Sequence, residues 1–133
     1  MTTYVDTSAL LKRYVSELDS DRAEELIGVD SSLVTSRVTV VEIRRNLARL
    51  LEPVAAVDAR RQFQQDLEAF AVIEVDAATC DLAASIAEQT GARSLDAIHL
   101  ASARRLGNSL VFVTFDVRQA HAARLLGFAV AGA

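Results

Sequence analysis

The sequence predicts an α/β protein, a three-layer α/β/α sandwich with a central, mostly parallel sheet of four to five short strands. Short β-like runs alternate with longer segments of helical periodicity, the pattern of a parallel sheet covered by helices. The run from Leu110 to Thr114 is almost continuously apolar, as expected for a parallel strand buried on both faces. With 133 residues, 51% of them hydrophobic, we expect one core and a single domain over residues 1–133.

The individual elements follow from apolar runs, helical spacing and the residues that end helices. Pro53 breaks one helix and begins the next, because proline lacks an amide proton. Gly91 and Gly107 end two later helices, and Ser94 is predicted to cap the second of these. The predicted strands are residues 3–5, 33–35, 70–75, 110–114 and, at an edge, 128–130. The predicted helices are residues 8–15, 20–28, 40–51, a helix that begins at residue 53, and residues 76–90, 94–106 and 117–126.

Charge and hydropathy narrow the class of protein. A net charge of −4 at pH 7 argues against a protein that coats duplex DNA through a broad basic surface. Apolar runs fall short of the roughly 20 residues that span a bilayer, and no secretory signal is visible at the N-terminus. We therefore expect a cytoplasmic protein with no membrane interaction. The one cysteine, Cys80, is predicted to be a small buried hydrophobe.

Four acidic residues stand apart from the others. Asp6 and Asp116 follow predicted strands, Asp96 lies in the first turn of a predicted helix, and Glu42 has apolar neighbours in sequence. In folds of this kind the working groups gather beyond the carboxyl ends of the strands. Other acids have polar or helix-surface surroundings: Glu17, Asp19, Asp21, Glu24, Glu25, Asp58, Asp66 and Glu88.

Each of the four acids has an ordinary structural explanation as well. Asp6 and Asp116 could cap the helices that follow them, and Asp96 could complement a helix dipole. Glu42 could pair with Arg45 or Asn46 one turn later. Converging carboxylates would repel one another. Mg²⁺ or Mn²⁺ removes that penalty, because hard cations prefer oxygen ligands. One shared metal site therefore explains the set better than four separate roles.

Each acid also lies in a short motif, and the four motifs are spread over nearly the whole length of the chain. In YVDTSALLKRY, Ser8 follows Asp6 by two positions. Further on, Ser36 is followed by Thr39 and Glu42, at +3 and +6. The segments SLDAIHLASA and VFVTFD complete the series. Motifs of these four kinds in this order resemble the PIN-domain family, and within it the VapC-type ribonuclease toxins of type II toxin–antitoxin systems.

The resemblance implies a PIN-like fold and a Mg²⁺- or Mn²⁺-dependent endoribonuclease. In that family a metal-activated water hydrolyses an RNA phosphodiester, and we expect 5′-phosphate and 3′-hydroxyl products. The resemblance assigns metal binding and catalysis to the four acids: Asp6, Glu42, Asp96 and Asp116. It assigns three hydroxyls to orienting those acids or the metal-bound waters: Ser8, Ser36 and Thr114.

One departure from the family pattern concerns the number of metal ions. Many relatives carry a further acid just after the fourth, whereas this chain has Val117, Arg118 and Gln119 there. We therefore expect one tightly held metal ion in the resting protein. A second ion, if used, would arrive with the RNA.

The arginines and histidines are weaker indications of RNA binding and of catalysis than the four acids are. Arg45 and Arg49 follow Glu42 at i+3 and i+7, and we predict that they extend its helix face toward the RNA backbone; a solvated face with local ion pairs is the alternative. Metal-free ribonucleases commonly use two histidines. Here His99 is predicted to serve in packing or hydrogen bonding and His121 to lie on the surface, and neither is a natural ligand for Mg²⁺.

The resemblance further implies partners. We expect a homodimer that forms a tetramer or larger assembly with a VapB-type antitoxin, whose C-terminal segment would lie in a groove and block the site. Seven residues are candidates for apolar groove walls: Leu10, Leu11, Tyr14, Leu47, Leu50, Leu51 and Val54. Membership of the plain core is the alternative for at least half of them.

Two other functional classes are alternatives: a phosphoaspartate protein, either a phosphatase or a receiver, for which the sequence is a poor fit, and a PIN module without a toxin role. A phosphatase of the haloacid-dehalogenase type needs a second aspartate two residues after Asp6, where this chain has Ser8. A phosphoaspartate receiver needs a lysine near the last strand, and the single lysine is Lys12. A PIN module that acts in binding or RNA processing without a toxin role also remains, although all four motif acids are present.

Overall fold

The computed structural model describes residues 1–28 and 32–133. Five strands are described, namely β1 (Thr2–Val5), β2 (Ser32–Ser36), β3 (Phe70–Ile73), β4 (Leu110–Thr114) and β5 (Ala129–Gly132). Within the same residues the helices are α1 (Thr7–Leu11), α2 (Ser20–Gly28), α3 (Arg37–Leu50), α4 (Pro53–Leu67), α5 (Ala77–Thr90), α6 (Ser94–Arg104) and α7 (Val117–Leu125). The predicted order of strands and helices is confirmed.

The strands form one sheet in the order β3-β2-β1-β4-β5, and every pairing is parallel. β1 lies at the centre, with Tyr4 in register with Val34 of β2 on one side and Phe112 of β4 on the other. The strand order reverses between β1 and β4, and in open parallel sheets ligands bind beyond the carboxyl ends of the strands at that point. This topology directs Asp6 and Asp116 to the same edge of the sheet.

Two apolar cores lie on opposite faces of the sheet. Successive side chains of a strand point to opposite faces, so Tyr4 packs in one core with helices α5, α6 and α7. Its neighbour Val5 packs in the other core, with Leu10 of α1, Ile43 of α3 and Phe63 of α4. The helices are thus divided between both faces, and the predicted three-layer sandwich is confirmed.

The ends of several elements differ from the sequence-based prediction. The first helix ends at Leu11 rather than at residue 15, because the chain continues in turns such as that closed by the Tyr14 amide on the Leu11 carbonyl at 3.0 Å. The prediction that Ser94 caps α6 is wrong. Arg93 occupies the cap position, without a side-chain hydrogen bond, and Ser94 is the first helical residue. β3 ends at Ile73, two residues earlier than predicted.

Two predictions about single side chains are also wrong. Cys80 is exposed, because α5 turns Thr79, Ala83 and Ile86 toward the interior and leaves Cys80 on its outer face. Asp66 is not on a solvated face: its side chain is 15% exposed, and it accepts a hydrogen bond of 2.6 Å from the hydroxyl of Tyr14.

Most of the predicted groove walls belong to the core. Leu10 and Leu47 are buried, and Leu11, Tyr14 and Leu51 pack against the core that contains Val5. The two exposed members are Leu50 and Val54. No helix in residues 1–28 or 32–133 has the length and hydropathy to cross a bilayer.

Gly132 provides a test of how β5 closes the sheet. Its φ is +106°, and a Cβ there would collide with the carbonyl oxygen of Thr114. Gly132→Ala should therefore lower the free energy of unfolding by roughly 1–3 kcal/mol, measured by urea denaturation. In the control Gly28→Ala the added methyl meets no atom of the described residues within 4 Å, so its stability should stay near wild type. Equal stability of Gly132→Ala and wild type would contradict this account.

Candidate active site

All four predicted acids line one cavity of about 240 Å³ beyond the carboxyl ends of β1 and β4. Asp6 and Asp116 follow those two strands directly, Glu42 comes from α3, and Asp96 comes from the first turn of α6. The full lining is Asp6, Thr7, Ser8, Leu11, Glu42, Asn46, Asp96, His99 and Asp116. The fold therefore brings together carboxylates that lie far apart in the sequence.

Asp6 is the most buried of the acids, with 4% of its surface exposed. Its Oδ1 accepts hydrogen bonds from the Ser8 hydroxyl at 2.7 Å and from the Ala9 amide at 3.1 Å, so Asp6 caps α1. Burial raises the pKa of Asp6 above its ordinary value, although these bonds, Thr114 and nearby His99 oppose the shift. An ionised Asp6 is therefore held in an environment that lacks full compensation for its charge.

A chain of hydroxyls joins the Asp6 carboxylate to the backbone of Asp116. Ser8 directs its proton to Asp6, so the hydroxyl of Thr114, 3.2 Å away, is the donor to Ser8. Thr114 in turn accepts from the Asp116 amide at 3.1 Å, and Ser8 accepts from the Phe115 amide at 2.9 Å. Ser8 and Thr114 thus fix the ends of β1 and β4 relative to each other.

Asp116 is exposed and caps α7. Its Oδ1 accepts from the amides of Arg118 at 2.9 Å and Gln119 at 3.1 Å. Because both cap bonds end on one oxygen, the cap leaves Oδ2 available to the cavity. The helix-cap explanation and the metal-ligand explanation are therefore compatible for this residue, as they are for Asp6.

Glu42 is held by a buried network rather than by Arg45. Its Oε1 lies 2.7 Å from both the Thr7 hydroxyl and Nε2 of His99. Burial would raise the pKa of Glu42, but hydrogen bonding and charge from His99, together with the Thr7 bond, hold it below the ordinary value. His99 is 2% exposed, and its Nδ1 lies 2.7 Å from the Tyr4 hydroxyl. The prediction that His99 is a hydrogen-bonding residue is confirmed.

Asp96 is half-buried and close to the charges of other acids. Burial, followed by Asp116 and Glu42, raises the pKa of Asp96, while His99 and Arg93 oppose the shift. Asp6 and Asp96 therefore both bear a penalty for being ionised, which comes from burial and, at Asp96, from the neighbouring acids as well. A bound cation would remove that penalty.

Gln119 has a role that the sequence did not reveal. It is 1% exposed, and its side-chain amide donates to the backbone carbonyl of Asp96 at 3.0 Å, which joins α7 to α6. Its Oε1 has no hydrogen-bond partner among the described residues. A carboxylate at this position would be buried beside Asp96 and would lose the donor. The neutral amide is explained by that contact, which sequence spacing alone does not indicate.

Other predicted residues lie outside the cavity lining. Ser36 caps α3, with its hydroxyl accepting from the Val38 amide at 3.2 Å. Arg49 donates to the side chain of Asn46 at 2.8 Å, and Asn46 lines the site. Arg45 lines a separate cavity of about 390 Å³ between α3 and α4. His121 is exposed, as predicted.

Of the two arginines, Arg45 lies apart from the acids, on the side of α3 that faces α4. With 3.6 residues per turn, a residue at i+3 lies about 60° around the helix from residue i. That offset turns Arg45 from the side of Glu42 toward α4, where it lies beside Arg44 and Arg60. Arg49, at i+7, stays nearly in line with Glu42.

The donor set suits a hard divalent cation. The converging groups are carboxylates, whose oxygens Mg²⁺ and Mn²⁺ prefer. Among residues 1–28 and 32–133, no three His, Cys, Asp or Glu side chains are already grouped as a metal cage. Mg²⁺ is commonly held by one or two carboxylates and several waters, so an open arrangement of this kind fits it without a closed cage.

Comparison with known proteins identifies the family. A sequence model described as "PIN domain" matches residues 3–125. The chain belongs to the PIN domain family. Ribonuclease VapC46 of Mycobacterium tuberculosis is 35% identical over 128 residues, which cover 96% of this chain and 94% of the relative. Ribonuclease VapC47 of the same species is 34% identical over 133 residues, with 96% and 94% covered. The resemblance predicted from the motifs is confirmed.

Solved structures share the fold. FitAcB from Neisseria gonorrhoeae has a TM-score of 0.75 at 24% identity, with 97% of this chain and 96% of that chain covered. VapC20 of Mycobacterium tuberculosis, described as a sarcin–ricin loop cleaving toxin, has a TM-score of 0.72 at 22% identity, with 91% and 95% covered. A toxin–antitoxin complex from Klebsiella pneumoniae has a TM-score of 0.70 at 16% identity, with 89% of both chains covered.

The burial of Asp6 predicts that the site destabilises the metal-free protein. A pKa raised in the folded state means that stability is greatest below the ordinary carboxyl pKa and falls as pH rises through the folded value. Asp6→Asn keeps an oxygen for Ser8 and Ala9 and removes the charge. In EDTA at pH 7 its Tm should exceed that of wild type, on the scale of the roughly 2–8 °C that 1 kcal/mol produces in domains of about this size.

Calorimetry at several pH values provides the control for this prediction. The Tm difference should shrink as pH falls into the acidic range, because wild-type Asp6 then becomes neutral as well. A Tm difference that is independent of pH, or a less stable Asp6→Asn at pH 7, would show that the Asp6 charge is already compensated within the chain.

Proposed function

We propose that the chain is the toxin of a type II toxin–antitoxin pair, a metal-dependent endoribonuclease that hydrolyses RNA phosphodiesters. The observation that carries this proposal is the convergence of Asp6, Glu42, Asp96 and Asp116 on one cavity at the point where the strand order reverses. Family membership and the relatives named Ribonuclease VapC support the same activity. Because the substrate is RNA, the proposal assigns the chain to the cytoplasm.

Mg²⁺ or Mn²⁺ is the proposed cofactor, with one ion held tightly in the resting protein. Asp6 and Asp96, whose pKa values are raised, gain most from a cation and are the proposed central ligands. Glu42 and Asp116 complete the set from the other sides of the cavity. When bound, such an ion lowers the pKa of a water and stabilises charge that develops on phosphoryl oxygens.

The chain's own residues hold this arrangement before RNA binds. Ser8 and the Ala9 amide hold Oδ1 of Asp6, and Thr114 contacts Ser8. These contacts leave Oδ2 of Asp6 for the cavity. The low pKa of Glu42 keeps that carboxylate ionised, which suits it to orient an attacking water toward phosphorus. Preorganised groups of this kind lower the barrier because they need little rearrangement in the transition state.

The basic surface for RNA lies on α3 and α4. Residues 37–67 contain six arginines and four acids, whereas the whole chain has a net charge of −4. Arg49 is joined to the site by its hydrogen bond to Asn46. The neighbouring cavity is lined by Arg44, Arg45 and Arg60. We propose that Arg49 holds a phosphate next to the scissile bond and that Arg45 holds the backbone further along.

The proposed partner is a VapB-type antitoxin that bridges a toxin homodimer. The chain's likeness to toxin–antitoxin structures suggests this, and exposed Leu50 and Val54 offer an apolar surface close to the arginines. An antitoxin arginine inserted among the four acids would satisfy their charge as a cation does. Inhibition and metal binding would then exclude each other.

RNA cleavage by the purified chain tests the catalytic role of the acids. With Mg²⁺ or Mn²⁺ the wild type should cut a labelled RNA to leave 5′-phosphate and 3′-hydroxyl ends, and EDTA should abolish cutting. Asp6→Asn and Asp96→Asn should each lose about 100-fold or more in kcat, the scale for removing a group that stabilises transition-state charge. Asp81→Asn, on the exposed side of α5, is the matched control and should be unchanged. EDTA-resistant cutting that leaves cyclic phosphate would overturn the proposal.

The two arginines can be tested by salt dependence. Arg45→Ala with Arg49→Ala should raise KM and change kcat little, because these side chains hold backbone phosphates. For single-stranded RNA, the slope of log affinity against log salt should become shallower by about 0.7 for each arginine that no longer binds a phosphate. Arg22→Ala, at an exposed ion pair with Glu25 on α2, is the control. An unchanged slope and KM in the double variant would show that these arginines form only a solvated surface.

A further inference from the structure

His99 connects the elements that carry three of the four acids. It lies on α6 one turn after Asp96. Its Nδ1 is 2.7 Å from the hydroxyl of Tyr4, which lies on β1 two residues before Asp6. Its Nε2 is 2.7 Å from Oε1 of Glu42 on α3. One buried ring therefore joins a strand and two helices at the floor of the cavity.

The identity of the partners fixes which ring nitrogen carries the proton. An ionised carboxylate can only accept hydrogen bonds, so Nε2 of His99 is protonated and donates to Glu42. In the neutral form of the ring, Nδ1 then carries no proton and can accept from the Tyr4 hydroxyl, 2.7 Å away. Thr7 donates to the same Glu42 oxygen at 2.7 Å. Two donors thus hold Oε1 of Glu42, and Oε2 is left for the cavity.

We propose that His99 is a positioning residue, which together with Tyr4 aims Oε2 of Glu42 at the reacting groups of the cavity. This inference rests on the proposed ribonuclease function. Tyr4 is fully buried and both ring nitrogens of His99 are engaged within the protein, so the pair acts on RNA only through Glu42. His99 is accordingly not the acid or base of a metal-free reaction.

The competing explanation is that both rings merely fill the core. Tyr4 stacks on Phe112 with ring centroids 5.0 Å apart and 16° between planes, so it contributes to packing as well. The two explanations differ in what the polar atoms do. Tyr4→Phe keeps the stacked ring and removes only the hydroxyl, which isolates the hydrogen bond from the packing.

A matched pair of substitutions at His99 separates the two ring nitrogens. In His99→Gln the side-chain amide reaches the place of Nε2 and can donate to Glu42. In His99→Asn the shorter amide reaches only the place of Nδ1, and Glu42 loses that donor. We expect kcat for RNA cleavage to fall about 10- to 100-fold in His99→Asn, the scale for losing a residue that orients a metal ligand, with KM nearly unchanged. His99→Gln should retain most of the activity, and His121→Asn is the exposed histidine control.

Nitrogen NMR of the ¹⁵N-histidine protein gives a readout that does not depend on cleavage. At a pH at which the ring is neutral, the wild type should show His99 protonated at Nε2 and unprotonated at Nδ1. In Tyr4→Phe that preference should weaken. The unpaired buried Nδ1 should lower the Tm, and kcat should fall even when it is measured well below that Tm. A neutral ring protonated at Nδ1, or equal losses in the two His99 variants that follow their Tm values, would overturn the proposal.

Two further outcomes are decided by the same set of proteins. If the wild type cleaves no RNA, the proposed function fails. The affinity for Mn²⁺ then tests the positioning role, and this affinity should be about 10-fold weaker in His99→Asn than in His99→Gln. Equal affinities would overturn that role. If His99→Asn does not fold, Tyr4→Phe decides, and unchanged kcat with an unchanged tautomer would overturn the inference.

Discussion

The structure depends on holding several carboxylates close together at the carboxyl ends of two parallel strands. Burial raises the pKa of Asp6, and burial with neighbouring acids raises that of Asp96. The chain compensates this charge only in part, through helix caps, hydroxyls and one histidine. The negative charge that remains favours the binding of a divalent cation, of an RNA substrate that brings such a cation, or of a basic group of a partner. The uncompensated negative charge that lowers the stability of the metal-free protein thus supports the proposed function.

Several side chains near the site serve the fold and the site at once. Asp6 and Asp116 cap helices with one oxygen each, and that contact fixes the direction of the other oxygen. Ser8 and Thr114 tie β1 to β4 while they hold Asp6. Gln119 joins α7 to the backbone of Asp96. The contacts that position the acids are therefore also contacts that hold the strands and helices together.

The fold and the four acids of the site were predictable from the sequence. Alternating apolar runs and helical spacing indicate the parallel sheet, and strand-end placement with motif order selects the four acids. Side-chain partners were not predictable, because they depend on helix rotation and on contacts distant in sequence. Arg45 turns toward α4, Cys80 faces solvent, and Gln119 reaches across to Asp96. His99 shows the same limit: its hydrogen bonding was expected, but its partners Tyr4 and Glu42 required the fold.

The most direct test of the central claim is electron paramagnetic resonance of Mn²⁺ added to the metal-free protein at neutral pH. If the four carboxylates form one shared site, the wild type should bind one Mn²⁺ tightly. Asp6→Asn and Asp96→Asn should each lose that ion, and Asp81→Asn should keep it. Tight binding that persists in both Asp6→Asn and Asp96→Asn would contradict the account, because the cation would then be held elsewhere.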